Sequence, residues 1–147
     1  MLLLVLAGVA AITRGSVWQA FPTAAVRFGS ASAAIVPVAD SRPLRRDGLA
    51  RISRPGTGML FVWRRPARPV FWMSETRFPL ALVWVRQGRV ADVVRMAPCR
   101  TLRCRTWRAP FPVTAAVELP VRIRAPTRGE LIAVAGHFGW MLAWYGF

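Results

Sequence analysis

The sequence predicts a mainly β domain, either a small β-sandwich or a partly open β-barrel, with one short helix. The main observation is the stretch 58–96, where apolar runs rich in Val, Trp and Phe lie between Pro, Gly and Arg residues. Apolar runs of this length with turn residues on both sides are typical of buried strands. The chain has 147 residues, 54% of them hydrophobic, which is enough for one domain with a hydrophobic core.

A first hairpin is predicted between residues 24 and 41, where two apolar runs flank a Gly29-Ser30 turn. Pro37 lies in the second run and has no amide hydrogen to donate. We therefore expect this second strand at a sheet edge or at a bulge.

The short helix is predicted directly after this hairpin, in a segment rich in arginine. Ser41 is a suitable N-cap and Pro43 suits the first turn, whereas Gly48 or Gly56 suits the end of the helix. The helix is expected to place its few apolar side chains on one side.

A second hairpin is predicted around Gln87-Gly88. The run 80–86 is apolar on both faces, which indicates a strand that is covered on both sides. The run 89–96 carries charged residues and is expected to be half-exposed. Prolines make the segment 97–112 irregular, and a further strand is predicted at 113–120.

The two ends of the chain are expected to lie outside the β domain. We predict a signal-like or membrane-anchor segment at 1–22, a single β domain at 23–135 and a hydrophobic tail at 136–147. The first twelve residues are uncharged and apolar, too short for a spanning helix but suited to a signal-peptide core, although no basic region precedes them. A buried first strand or helix is the alternative.

The net charge of +15 comes entirely from arginine, since all 21 basic residues are arginines. One explanation is a surface for nucleic acid or anionic lipid, and the other is the composition of a GC-rich genome. The arginines are scattered, without a long run or interleaved aromatic residues. We therefore expect a solvated basic surface and no specific binding to nucleic acid, and the partner stays open, with an anionic membrane surface as one candidate.

A series of short motifs occurs in a recognisable order. They are Gly48-Leu49, Gly58-Met59-Leu60-Phe61, Phe71-Trp72-Met73 with Thr76, Pro79-Leu80, Pro98-Cys99 with Cys104, Glu118-Leu119-Pro120 and Gly129-Glu130. In order and spacing they resemble the uncharacterised bacterial and archaeal family called domain of unknown function 192. The resemblance covers roughly residues 25–133. It implies a compact, mainly β domain, commonly exported or membrane-associated, and it brings no established activity.

This chain departs from the family pattern at three positions. Ala50 replaces a methionine, Glu75 stands where the family has asparagine, and Ala81 stands where it has aspartate. The last two are the polar positions most suited to a shared site. If the family has such a site, this member has altered or lost it.

Cys99 and Cys104 lie in a loop rich in proline and arginine. In an exported protein a disulfide between them is the favoured interpretation. Two free thiols, a redox pair and a metal site are the alternatives. The spacing is not Cys-x-x-Cys, and two cysteines with His137 do not complete a four-ligand zinc site, so no metal is predicted.

Glu75 and Glu118 lie in or beside apolar runs. They either form a general acid/base pair of the kind hydrolases use, or each pairs with a nearby arginine, Arg77 or Arg122. We favour the arginine pairs. Trp72 could line a ligand groove, but an aromatic residue in a strand is more often part of the core.

The sequence therefore predicts an exported or membrane-associated module that binds or assists rather than an enzyme, without a cofactor. Its candidate ligand-binding residues are Trp72, Glu75, Thr76 and Glu118. One alternative is a hydrolase or thiol-redox enzyme that uses these carboxylates or the two cysteines. The other is an arginine-rich protein that binds polyanions.

Overall fold

The computed structural model describes residues 22–136. The predicted signal-like segment and hydrophobic tail therefore lie almost entirely outside the described residues. Within this range, no helix is long and apolar enough to cross a lipid bilayer.

Residues 22–136 form nine strands and one short helix. In chain order they are β1 (Thr23–Phe28), β2 (Ala34–Ala39), α1 (Arg42–Asp47), β3 (Met59–Ala67), β4 (Val70–Trp72), β5 (Leu80–Arg86), β6 (Arg89–Met96), β7 (Thr106–Arg108), β8 (Val113–Pro120) and β9 (Ile132–Gly136). The predicted mainly β fold with one short helix is confirmed.

Seven strands form one sheet in the order β6-β5-β8-β3-β2-β1-β9, while β4 and β7 form a separate small sheet. The large sheet is antiparallel except between β2 and β3, which pair in parallel over two residues. It curls until the turn after β5 meets the start of β9, where the Ile132 amide donates to the Gly88 carbonyl at 3.0 Å. Of the two predicted architectures, the partly open barrel describes this curled half-barrel.

Alternation along the strands divides the hydrophobic residues into two clusters, one on each face of the large sheet. One cluster takes residues from all seven strands, among them Leu60, Val83 and Val117, as expected for the inner face of the curl. The other contains Phe61 and Trp84 and lies under β4, β7 and the segment around α1. This second, covered face holds the candidate site.

The second hairpin is confirmed, with β5 and β6 paired antiparallel around Gln87-Gly88. Both turn residues have positive φ, 51° for Gln87 and 67° for Gly88, as a two-residue type I′ turn requires. Strand β5 is buried on both faces and β6 is partly exposed, as expected.

The helix signals are also confirmed. The Leu44 amide donates to the Ser41 hydroxyl at 3.5 Å, and Pro43 lies in the first turn. Gly48, with a φ of 48°, ends the helix, so the stop is Gly48 rather than Gly56.

Two expectations about prolines are corrected. Strand β2 lies between β1 and β3, so Pro37 is not in an edge strand. The Val38 amide donates to Pro22, so the nitrogen of Pro37 faces away from β1, and the ladder to β3 begins only at Val38. The segment 97–112 is not wholly irregular, because β7 pairs with β4 and sets Trp107 opposite Phe71.

Candidate functional site

A pocket of about 160 Å³ opens on the covered face of the large sheet, between α1, β4 and the strands β3 and β8. We call it the Glu118 pocket. Its lining residues are Arg42, Arg45, Arg46, Asp47, Gly48, Leu49, Ala50, Phe61, Trp63, Pro69, Val70, Phe71, Trp72, Ser74, Thr76 and Glu118. The pocket therefore joins aromatic side chains from two strands with arginines from the helix.

Glu118 reaches this pocket from β8, a central strand of the large sheet. Its neighbours across the ladders are Met59 on β3 and Leu82 on β5, both fully buried. The Glu118 side chain is itself buried, and its Oε2 atom has no hydrogen-bond partner among the described residues. Desolvation by this apolar surrounding raises the pKa of Glu118 to about 8. The carboxyl is therefore mostly protonated and neutral at pH 7.

The predicted pairing of Glu118 with Arg122 is wrong. Arg122 lies beyond the end of β8 and donates instead to the carbonyl of Gly56. A strand holds its side chains on alternate faces, so a residue four positions along, after a turn, does not have to lie beside Glu118.

Glu75 does not line the Glu118 pocket. It lies on an exposed turn with a φ of 58°, and its carboxylate is 3.6 Å from the guanidinium of Arg51. Its predicted pairing with an arginine is thus confirmed, although the partner is Arg51 rather than Arg77. The Arg51 amide also donates to the Glu75 carbonyl at 2.9 Å, which fixes the two turns against each other.

Trp72 and Thr76 do line the pocket, together with Glu118. Trp72 is 45% exposed and lies at the rim, so the expectation that it belongs to the core is corrected. Its neighbour Met73 is buried in the core instead. Thr76 is buried, and its hydroxyl lies 3.5 Å from the Ser74 carbonyl, a long hydrogen bond. Three of the four candidate ligand-binding residues therefore meet at one pocket.

The arginines of α1 are pocket residues that the sequence analysis did not single out. Arg42, Arg45 and Arg46 are three and four positions apart, so they share one side of the helix. That spacing is visible in the sequence and is the signal that could have found them. What the spacing does not show is which structure this side of the helix faces.

Arg45 forms a fixed part of the pocket wall. Its guanidinium donates to the Asp40 carbonyl at 2.7 Å and to the Val62 carbonyl at 2.8 Å, and it lies 5.7 Å from the centre of the Trp63 ring. Arg46 is only loosely held, 3.7 Å from Asp47 at an exposed position. With Glu118 neutral, the pocket carries a positive charge and suits an anionic group.

The predicted disulfide is confirmed, since Cys99 and Cys104 are joined with an S–S distance of 2.07 Å. It lies in the loop between β6 and β7, and neither cysteine lines the Glu118 pocket. In the part of the chain that the structure describes, no three His, Cys, Asp or Glu residues are grouped so that they could hold a metal ion.

Comparisons with known proteins agree with this fold. The family model of DUF192, described as "Uncharacterized ACR", matches residues 25–126. No curated protein matches the chain.

Two solved structures share the architecture. One is a protein from Sinorhizobium meliloti 1021, proposed to be a transcription regulator. It is 22% identical to this chain, with a TM-score of 0.66, and the match covers 78% of this chain and 95% of that one. The other is a protein of unknown function from Novosphingobium aromaticivorans DSM 12444. It is 21% identical to this chain, with a TM-score of 0.59, and the match covers 77% of this chain and 84% of that one. At this level of identity the likeness shows the fold alone.

Proposed function

The chain belongs to the DUF192 family, which is uncharacterised. We propose that it is an extracytoplasmic binding module that does no chemistry on its ligand. The ligand is a small organic anion held in the Glu118 pocket. The observation that carries this proposal is the buried Glu118 carboxyl, which lines the pocket and lacks a hydrogen-bond partner for Oε2 among the described residues.

A buried polar group without a partner lowers the stability of a folded protein, typically by about 1–3 kcal/mol. Such groups are rare in native structures, and each one calls for an explanation. A ligand that exchanges hydrogen bonds with the neutral Glu118 carboxyl would satisfy it. The cost of leaving Glu118 unpartnered in the empty protein would then be recovered on binding.

The wall of the pocket supports the rest of the ligand assignment. Arg42 and Arg46 bring positive charge to one side, and guanidinium groups bind carboxylates through paired hydrogen bonds. Trp72 at the rim offers a flat apolar surface. A ligand with an acidic group, a short apolar body and a hydrogen-bonding group matches these three features.

The placement of the acidic residues favours binding over catalysis. A glycosidase-type mechanism needs two carboxyl groups that flank the reacting bond. Here Glu118 lines the pocket, whereas Glu75 lies on a separate exposed turn beside Arg51. The alternative of an enzyme that uses both glutamates thus gains no support from their arrangement.

The disulfide supports the extracytoplasmic part of the proposal. Stable disulfides form in oxidising compartments and are rare in the cytosol, where thiols are kept reduced. This is tested by mass spectrometry of the protein after the free thiols have been blocked in intact cells. We expect the protein recovered from the cell envelope to have Cys99 and Cys104 joined. Cys99 and Cys104 recovered as free thiols from a cytosolic fraction would contradict it.

The binding proposal is tested by native mass spectrometry of the purified full-length protein with the small-molecule fraction of a bacterial extract. We expect the wild type to retain a small anion and Glu118→Ala to bind it at least about ten-fold more weakly, since a hydrogen bond to a charged or buried group is lost. Glu75→Gln is the matched control, because it removes a carboxylate outside the pocket. Equal retention by Glu118→Ala would contradict the site, and recovery of a chemically altered ligand would contradict a purely binding role.

A further inference from the structure

The loop between β6 and β7 carries the disulfide and contributes no residue to the Glu118 pocket. The disulfide closes it, and the sulfur atoms of Cys99 and Cys104 both lie 3.5 Å from the Thr101 carbonyl oxygen. The Thr101 hydroxyl donates to the Arg103 carbonyl at 3.1 Å. These contacts hold the tip of the loop in one shape.

This fixed tip presents a leucine to solvent. Leu102 has a relative exposure of 106%, which exceeds that of the other exposed large hydrophobic residues among those described. Single exposed leucines are common on protein surfaces. Here the disulfide restricts the backbone of the loop and so keeps Leu102 at this exposed position.

The leucine is surrounded by positive charge. Arg100 and Arg103 lie on either side of it and are exposed, and Arg105 follows at the base of the loop. No acidic residue occurs between positions 93 and 117. The ion pairs of the described residues involve none of these three arginines, although Arg105 lies 5.4 Å from the ring centre of Trp107.

We propose that this loop, residues 99–104, is a membrane-contact element that places Leu102 among the lipids of an anionic membrane surface. The arginines would bind lipid phosphates while Leu102 enters the apolar layer beneath them. A fluid lipid surface accepts one projecting side chain without a shaped pocket. Nucleic acid would use the arginines but would offer no apolar phase for Leu102.

The proposal is independent of the Glu118 pocket, because no residue of the loop lines that pocket. Loss of ligand binding in Glu118→Ala would leave the membrane contact intact. Loss of membrane contact in a loop variant would leave ligand binding intact. The two proposals can therefore fail separately.

Flotation of the full-length protein with lipid vesicles tests the proposal, with phosphatidylglycerol-rich vesicles compared with pure phosphatidylcholine. Because every variant keeps both ends of the chain, differences between variants report on the loop. We expect Leu102→Asn to weaken partitioning onto anionic vesicles about ten-fold, since a buried leucine is lost. Leu131→Asn, at another exposed leucine, is the matched control and should change it less than two-fold.

The charge is tested in the same assay. Arg100→Gln with Arg103→Gln should weaken partitioning about twenty-five-fold at low salt, since each arginine near an anionic surface contributes about a five-fold change. Arg124→Gln with Arg128→Gln removes the same net charge from another exposed segment and should have a much smaller effect.

Three outcomes would overturn the proposal. They are equal vesicle binding by the loop and control variants, a loss of binding by Arg100→Gln with Arg103→Gln that is as large on phosphatidylcholine as on phosphatidylglycerol-rich vesicles, and binding to RNA that displaces the vesicles and is unchanged by Leu102→Asn. The last would assign the loop to nucleic acid. All four variants should leave the circular dichroism spectrum and the disulfide unchanged, which separates lost contact from lost folding.

Discussion

Glu118 is a residue that the packing of the protein does not explain, because an apolar side chain would suit its buried position better. A leucine at this position would pack against Met59 and Leu82 at no electrostatic cost, yet the chain has a carboxyl there. Burial keeps that carboxyl protonated up to about pH 8. A neutral acid can both donate and accept a hydrogen bond, which a carboxylate cannot do.

The raised pKa predicts how stability depends on pH. Between pH 4.5 and about 8, the folded chain keeps a proton on Glu118 that the unfolded chain has released. The unfolded state binds fewer protons in this window, so the free energy of unfolding falls as the pH rises, by roughly 1 kcal/mol per pH unit from this group. This contribution to stability is fully present below pH 4.5 and is lost by about pH 8.

Urea unfolding at a series of pH values checks this. Glu118→Gln keeps the shape and removes the titration, so its free energy of unfolding should decline less steeply with pH than that of the wild type. Parallel curves for the wild type and Glu118→Gln would show that Glu118 does not titrate in this window.

Among the arginines, Arg45 shows that a positive charge in a pocket is not always there for a ligand. It donates to the carbonyls of Asp40 and Val62, which come from separate parts of the chain, and so it ties the helix to β3. Both hydrogen bonds come from one guanidinium nitrogen, Nη1, and the same side chain also lies over the Trp63 ring. Arg42 and Arg46 are therefore the better candidates for contact with an anion.

At the scale of elements, α1 is too short to be stable by itself. It has six residues, none of them buried, and helices of this length gain their stability from tertiary contacts. The Ser41 cap and the Gly48 stop stabilise its ends locally, whereas the bond from Arg45 to the Val62 carbonyl and the packing of Leu44 against the second hydrophobic cluster supply tertiary contacts. The sequence signals at both ends fix its limits, and β3 fixes its place beside the pocket.

The ladder between β3 and β8 depends on Gly58, which precedes β3. A Cβ atom at Gly58 would lie 2.2 Å from the Glu118 carbonyl oxygen, and the residue has a φ of 107°. Only glycine allows this close approach to the backbone of Glu118.

We predict that Gly58→Ala lowers the free energy of unfolding by about 3 kcal/mol or more, because it adds a backbone clash to a strained φ. Gly129→Ala is the control: its φ of 87° is also positive, but nothing lies within 4 Å of its added Cβ. Its free energy of unfolding should fall by only about 1–2 kcal/mol, the conformational cost of placing alanine at a positive φ. Equal losses in urea unfolding would mean that the close approach at Gly58 does not matter.

At the scale of the whole molecule, stability rests on the two hydrophobic clusters on the faces of the large sheet. The disulfide lies outside the large sheet and closes a loop with a sequence separation of five. Loop-entropy arguments assign such a short loop about 2 kcal/mol.

We therefore predict that Cys99→Ser with Cys104→Ser lowers the free energy of unfolding by at most about 2 kcal/mol and leaves the fold intact. Thermal melts of the variant and of reduced wild type should agree with each other, since both lack the same bond. Unfolding of the reduced protein at room temperature would contradict this and give the disulfide a larger role in the fold.

Much of the fold could be predicted because its signals are local. Alternation and apolar runs indicated most of the strands, Gln87-Gly88 marked a hairpin, and Ser41 with Gly48 bounded the helix. The prediction that Pro37 lies in an edge strand was wrong because the sequence shows only that Pro37 lacks an amide hydrogen. It does not show toward which neighbouring strand the nitrogen of Pro37 faces. Strand β7 was missed because three residues between prolines carry too little pattern to be recognised.

For the candidate site, too, the features that local patterns encode could be predicted and those that depend on long-range pairing could not. Sequence patterns singled out Trp72, Thr76 and Glu118 as notable residues, and local spacing brought the two cysteines together. Their grouping with the arginines of α1, and the separation of Glu75 from Glu118, depend on the register of β8 between β3 and β5. That register joins segments tens of residues apart, and no local pattern encodes it. Residue types and short elements thus follow from neighbours in the chain, whereas a pocket follows from long-range pairing.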